Sequence, residues 1–129
     1  MEPVFLTMED VTEIHADQIA RYGGSPGLRD ANLLQSAVAM PESGFGEHYL
    51  HTDLFEMAAA YLFHLVQNHP FVDGNKRVGA ASALVFLELN RVTVKVTNDA
   101  LVETVLKVAQ GKMGKAGVAE FLRQHAKKK

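Results

Sequence analysis

Apolar positions fall on helical spacing in six stretches of this chain and on a period of two in one. Val11, Ile14, Ile19 and Ala20 recur at roughly helical intervals with His15 beside them. Thr7, with Asp10 three residues on, reads as an N-cap with an acidic first turn, so a helix is predicted over 8–21, stopped by Tyr22-Gly23-Gly24. Asp30 can cap a second over 31–40 with Leu33, Leu34, Ala37 and Val38 on one side, and Pro41 ends it. Thr52 or Asp53 caps a third running to Asn68. That helix and the stretch Val78 to Leu89 are apolar nearly all round, as befits a buried pair at the centre of a bundle, and Gly79 with the alanines permits close approach. Val92 to Val96 alternates as a strand does, and Val4-Phe5-Leu6 is its expected partner. Asn98 caps a helix over 99–110 with Leu101, Val102, Val105, Leu106 and Ala109 inward, and a last helix over 116–125 buries Val118, Ala119 and Leu122. Residues 41–52 carry Gly44, Gly46 and two histidines without any period, so a loop or irregular hairpin is expected. The pattern implies an all-α bundle with a minor strand pair, in one domain over 1–126 followed by a basic tail at 127–129.

Composition narrows the chemistry. The 129 residues suffice for a core without staples, and the absence of cysteine removes disulfides, thiolate nucleophiles and Cys-ligated zinc. A formal net charge of −2 gives no electrostatic case for nucleic acid or an acidic membrane as a partner. Lys127-Lys128-Lys129 is expected to be a solvated, frayed end. The opening Met1 to Leu6 lacks the basic and apolar regions of a signal peptide, and no run of apolar residues is long enough to span a bilayer. A soluble cytoplasmic protein is expected.

Against that background, the link between the two central helices is anomalous. His69-Pro70-Phe71-Val72-Asp73-Gly74-Asn75-Lys76-Arg77 concentrates an imidazole, a carboxylate, a turn glycine and two cations where a short bland connection would serve. Gly74 to Arg77 begin a helix, so their N–H groups are unpaired beside the positive end of its dipole and form an anion site. Asn75 adds an amide; Lys76 and Arg77 add charges suited to phosphate. Asp73 is the loop's only acid, placed where Mg²⁺ would be shared between a carboxylate and phosphate oxygens. His69 is its only general-base candidate. Pro70 stops the preceding helix, and Phe71 can anchor the loop inward. Each residue alone has a plain structural use, since Asp-Gly turns, helix-end histidines and solvated Lys-Arg pairs are common. Their conjunction brings in phosphoryl or nucleotidyl chemistry as a competing reading.

Other candidates are weaker. His48 and His51 are close enough in sequence to share a metal, but only Glu47 or Asp53 could be a third ligand, and zinc usually takes three or four. Gly23 to Gly27 does not match a dinucleotide-binding glycine pattern, and Gly111-Lys112-Met113-Gly114-Lys115 fails the P-loop pattern in spacing and in the final hydroxyl. Both read as turns.

The loop resembles the signature HxFx(D/E)GNxRxxR of the Fic/Doc family, matching it from His69 to Arg77. Arg21-Tyr22-Gly23-Gly24-Ser25-Pro26-Gly27, Thr52-Asp53-Leu54-Phe55-Glu56 and the order of helices extend the likeness to the death-on-curing (Doc) branch. Lys76 and Ala80 depart from the adenylyl-transferring branch, which has Gly and Arg there, as the Doc branch also does. The resemblance implies a toxin of a toxin–antitoxin pair that transfers the γ-phosphate of ATP to a threonine of elongation factor Tu. By position, His69 would deprotonate the hydroxyl, Asp73 would bind Mg²⁺, and Gly74, Asn75, Lys76 and Arg77 would hold the nucleotide phosphates. The resemblance also makes Pro41 to His51 the candidate flap that lines the target by strand addition. Inhibitory helices in the family carry [ST]xxxE[GN]; here Ser43 and Glu47 have the spacing but His48 follows, so inhibition in trans by an antitoxin is implied. Protein adenylylation through the same loop and a non-catalytic nucleotide- or partner-binding module are the alternatives.

Overall fold

Helix α3 (Leu54–Asn68) runs through the middle of the molecule in the computed structural model, which describes residues 2–45 and 48–127. Asp53 caps it by accepting from the N–H of Glu56, and Met57, Ala58, Ala59, Ala60, Tyr61, Leu62, Leu65 and Val66 are all buried. A helix so apolar on every side needs cover all round, and it receives it. α4 (Asn75–Leu89) packs along it, with α2 (Ala31–Ala39), α5 (Asn98–Ala109) and α6 (Lys115–Gln124) around it, and α1 (Met8–Tyr22) lies on α4. The approach of α3 to α4 rests on Gly79, where a Cβ would stand 3.0 Å from Val66 Cγ2 and 3.1 Å from the Leu62 carbonyl oxygen. With the two backbones this close, the loop joining them has fixed ends.

The all-α reading holds, and so do most of the expected boundaries. Thr7 and Asp10 form a reciprocal capping box on α1, and Asp30 caps α2 through the N–H of Leu33. A single 3₁₀ turn, Met40–Glu42, continues α2 through Pro41. The unpatterned stretch after it holds an antiparallel hairpin, β1 (Gly44–Phe45) with β2 (His48–Tyr49). Tyr49 ties that hairpin to the N-terminal segment: its hydroxyl donates to Glu2 at 2.7 Å and its ring meets Phe5.

Three expectations are corrected. The strand β3 (Thr93–Val94) pairs with β4 (Ala126–Lys127) and not with Val4-Phe5-Leu6, whose backbone at Val4 is instead held at N–H and C=O by the Asn90 carboxamide. The Asn90 side chain, projecting from the end of α4, satisfies those groups and leaves no need for a strand there. Consequently the basic tail does not begin as a frayed end, since Lys127 lies in β4; Lys128 and Lys129 lie outside the described residues. Finally, the cap of α5 is Thr97, whose hydroxyl accepts from the N–H of Ala100, and not Asn98. Among the described residues no helix is long and apolar enough to cross a membrane.

Candidate active site

The loop between α3 and α4 is braced along both edges. His69 ends α3 in the left-handed conformation at φ 52°, ψ 54°, a conformation that few non-glycine residues adopt unless held. The holder is Arg29, which donates from Nε to the His69 carbonyl at 2.7 Å and from Nη2 to the Asn68 carbonyl at 3.0 Å. Two of the four carbonyls left open at the end of α3 are thereby satisfied. The connector between α1 and α2 then runs antiparallel to the loop. Arg29 and Asp30 donate to the Pro70 carbonyl, Val72 donates to that of Gly27, and Leu28 stands opposite Phe71. On the loop's other edge, Phe71 N–H and C=O are both engaged by the carboxamide of Asn75, at 2.9 and 3.0 Å. Phe71 is buried, as expected. Asn75, expected to offer its side-chain amide to a ligand, has spent both ends of it on the loop; only its backbone N–H faces the anion site.

The apex of the loop is equally constrained. Asp73 Oδ1 accepts from the N–H of Gly74 at 2.8 Å and Oδ2 from the N–H of Ser25 at 3.1 Å. These two donors, Ser25 first, hold the Asp73 carboxyl below the ordinary carboxylate range, against a smaller effect of burial and with help from Arg77. Each oxygen keeps a lone pair for another partner. The approach of Ser25 depends on Gly24, at φ 116°, where a Cβ would lie 2.7 Å from Asp73 Oδ2 and 2.9 Å from Arg77 Nη2. Arg77 turns back to α1, donating to the Gly23 carbonyl at 2.9 Å and that of Gln18 at 3.4 Å.

Beyond the apex, the first helical bond of α4 is from Val78 N–H to the Gly74 carbonyl, so the N–H groups of Asn75, Lys76 and Arg77 have no acceptor within the helix. They face a cleft of about 1020 Å³, which His69, Asp73, Gly74, Asn75, Lys76 and Arg77 all line. All six residues singled out in the sequence are therefore brought to one place. Lys76 is exposed and makes no side-chain hydrogen bond or ion pair among the described residues, leaving its ammonium available. The opposite wall is apolar, built from Ala80, Ala81 and Leu84 of α4 and Leu101, Val102 and Val105 of α5. A ligand with a polyanionic end and a flat, weakly polar end fits such a cleft.

The chain matches the Fic/DOC family over residues 5–87. It belongs to that family. Among its relatives, the protein named Protein kinase doc from Escherichia phage P1 is 33% identical over 119 residues, spanning 92% of this chain and 93% of the relative. The Toxin Doc of Mycolicibacterium smegmatis is 42% identical over 88 residues, which cover 68% of this chain and 65% of that protein.

Asp73 is the carboxylate of this loop that could hold a divalent cation. No group of three or more His, Asp or Glu able to hold a metal exists among the described residues, whereas one ionised carboxylate beside an anion site is what nucleotide-borne Mg²⁺ uses. His51, half of the suggested His48–His51 pair, has other neighbours. His51 is buried, and its Nε2 lies 3.3 Å from Lys115 Nζ, which also stands 3.2 Å from Nε2 of His64. Of the two suggested third ligands, Asp53 accepts from the N–H of Glu56 and from Arg123, and Glu47, also the acid of the Ser43–Glu47 spacing, lies outside the described residues.

Four contributors escaped the sequence reading: Arg29, Gly24, Ser25 and His15, whose Nε2 lies 2.7 Å from the Asp73 carbonyl oxygen. Gly23-Gly24 was legible as a turn, but nothing in it points to a partner some 50 residues away in the chain. His15 carried the one available signal, a polar residue bordering the apolar face of α1.

Proposed function

We propose that this chain is a protein-modifying transferase and the toxin of a type II toxin–antitoxin pair, moving the γ-phosphate of ATP to a threonine hydroxyl of elongation factor Tu. Family membership and the printed names of its relatives, a protein kinase and a toxin, support the reading. The observation that carries it is the juxtaposition in the cleft of the ionised Asp73 carboxylate, the open N–H groups at the start of α4 and Lys76, whose ammonium has no partner among the described residues. That arrangement accommodates a metal–triphosphate at one end, while the apolar wall of α5 takes a base and sugar.

In this reading the phosphates lie against the N–H groups of Asn75, Lys76 and Arg77, where the helix dipole adds to the attraction. Lys76 sets which phosphorus faces outward. Asp73 would hold Mg²⁺, which when bound neutralises phosphate charge. The exposed imidazole of His69, aimed by its left-handed cap, takes the proton from the threonine hydroxyl. That oxygen forms a bond to the γ-phosphorus, the bond from the γ-phosphorus to the bridging oxygen breaks, and ADP departs. The hairpin β1–β2 is the flap along which the target backbone would align. Arrest of translation confines such an activity to the cytoplasm, and inhibition falls to an antitoxin in trans.

The deciding experiment supplies Mg²⁺, elongation factor Tu and ATP labelled at the α or γ position. Label from γ on the factor is expected. Label from α overturns the reading in favour of adenylyl transfer, and label from neither overturns the assigned target or the catalytic reading itself. Lys76→Gly is expected to lose γ-transfer; unchanged γ-transfer would show that Lys76 does not set the nucleotide's orientation.

A further inference from the structure

The peptide plane between Asp73 and Gly74 is gripped at both ends. Its N–H donates to Asp73 Oδ1 at 2.8 Å, and its carbonyl oxygen lies 2.7 Å from Nε2 of His15 on α1. A carbonyl oxygen only accepts, so His15 is protonated on Nε2 and donates. The C=O and N–H of a trans peptide point in opposite directions, so a pull on the oxygen aims the N–H. His15 therefore determines, through one rigid plane, whether the Asp73 carboxylate keeps its Gly74 donor.

The imidazole is itself held. It is 4% exposed and lies flat on the Phe71 ring, with centroids 3.8 Å apart and planes within 6°. Phe71 is 1% exposed and clamped at N–H and C=O by Asn75, so the stack rests on the fixed part of the loop. Helix α1 thus reaches the site twice, through His15 to the apex and through the carbonyls of Gln18 and Gly23 to Arg77. A buried polar side chain stacked on Phe71, with its donor nitrogen on a carbonyl of the loop's only acid, has a reason to be histidine that packing alone does not give. Phenylalanine would keep the stack on Phe71 but set a C–H where Nε2 now donates.

We infer that His15 is a positioning residue for Asp73, acting through the Asp73–Gly74 peptide plane to fix the carboxylate that receives the divalent cation. The inference rests on the reading of Asp73 as the metal carboxylate.

Two variants separate the donor from the packing. His15→Phe keeps a ring against Phe71 and removes the N–H; His15→Gln keeps an N–H at the position of Nε2 and removes the ring. Binding of Mn²⁺ with a non-hydrolysable ATP analogue is followed by electron paramagnetic resonance, and amide hydrogen exchange of residues 71–75 is followed without nucleotide. For His15→Phe the expected results are a roughly tenfold weaker Mn²⁺ affinity, the worth of one partly buried hydrogen bond, and faster exchange confined to the loop. His15→Gln is expected to restore most of both. Equal behaviour of the two variants, or a loop exchange rate unchanged in His15→Phe, overturns the inference. Faster loop exchange in His15→Phe with wild-type Mn²⁺ affinity overturns its link to the metal. If the wild-type chain takes up no Mn²⁺ with the analogue while His15→Phe still loosens the loop, it is the metal role of Asp73, and with it the functional reading, that fails.

Discussion

Helix α3 carries two histidines with opposite fates, His64 on its middle turns and His69 at its end. His64 is partly buried, and its Nε2 accepts from the Lys115 ammonium, which His51 shares. Burial first, then the charge of Lys115 and of His51, pushes the His64 imidazole down to about 4. That Nε2 is occupied inside the protein. His69 is exposed, its backbone satisfied by Arg29 and its side chain left facing the cleft. Imidazoles whose Nε2 lone pairs already face an ammonium have that atom closed to a ligand, whereas a single exposed imidazole whose backbone alone is restrained keeps it open. Convergence of titratable groups is a weaker sign of function than a group held by everything except its reactive atom.

Removing His69 tests that contrast most severely. His69→Ala is expected to lower transfer by about 10²–10⁴-fold, the range for a lost general base, with Tm close to wild type because its exposed side chain makes no hydrogen bond or ion pair among the described residues; full toxicity of the variant in cells would remove the catalytic assignment. Gly24→Ala comes next. Its Cβ meets Asp73 Oδ2 and Arg77 Nη2 inside contact distance at a backbone angle alanine disfavours. A destabilisation of about 1–3 kcal/mol is expected from the overpacking, read as a lower denaturant midpoint, together with weakened Mg²⁺ dependence of transfer. Arg29→Met should act more gently, leaving the Asn68 and His69 carbonyls to water. The loss expected is about 0.5–1.5 kcal/mol of stability and roughly three- to tenfold in kcat, with KM for ATP little changed; a KM effect alone would place Arg29 outside the control of His69.

What the sequence disclosed about this site follows from range. The chemistry of the loop is contiguous, so His69, Asp73, Gly74, Lys76 and Arg77 could be read together, and the hydrophobic envelopes of α3 and α4 announced that the loop joins two buried helices. The bracing groups come from α1 and the connector after it, and a hydrogen bond from His15 to a backbone carbonyl 58 positions away leaves no local pattern. Asn75 illustrates the same limit within a few residues: its amide could be assigned to a ligand or to Phe71, and only the fold of the loop decides. The strand pairing failed for a related reason. Period two identified β3, but its partner at Ala126–Lys127 runs into a tail whose lysines suggested solvent, and Asn90 had already satisfied the competitor at Val4.

The other side of the contrast gives the smallest effect and a clear sign. His64 at about 4 lies below the ordinary histidine value of 6.5, so between those limits the unfolded chain binds more protons than the folded one. Stability from His64 is therefore complete above pH 6.5 and is lost as pH falls towards 4. His51 is shifted in the same direction, by burial and then by Lys115, with Glu56 opposing. Thermal unfolding followed from pH 7.5 to 4.5 should show Tm falling with acid, and His64→Gln, which keeps an acceptor for Lys115 but cannot be protonated, should flatten the curve. His64 is only partly buried, so screening will make the change in slope modest. An identical slope in the variant would mean that Lys115 moves aside when His64 takes up its proton, and that this cluster is looser than the loop at the other end of the same helix.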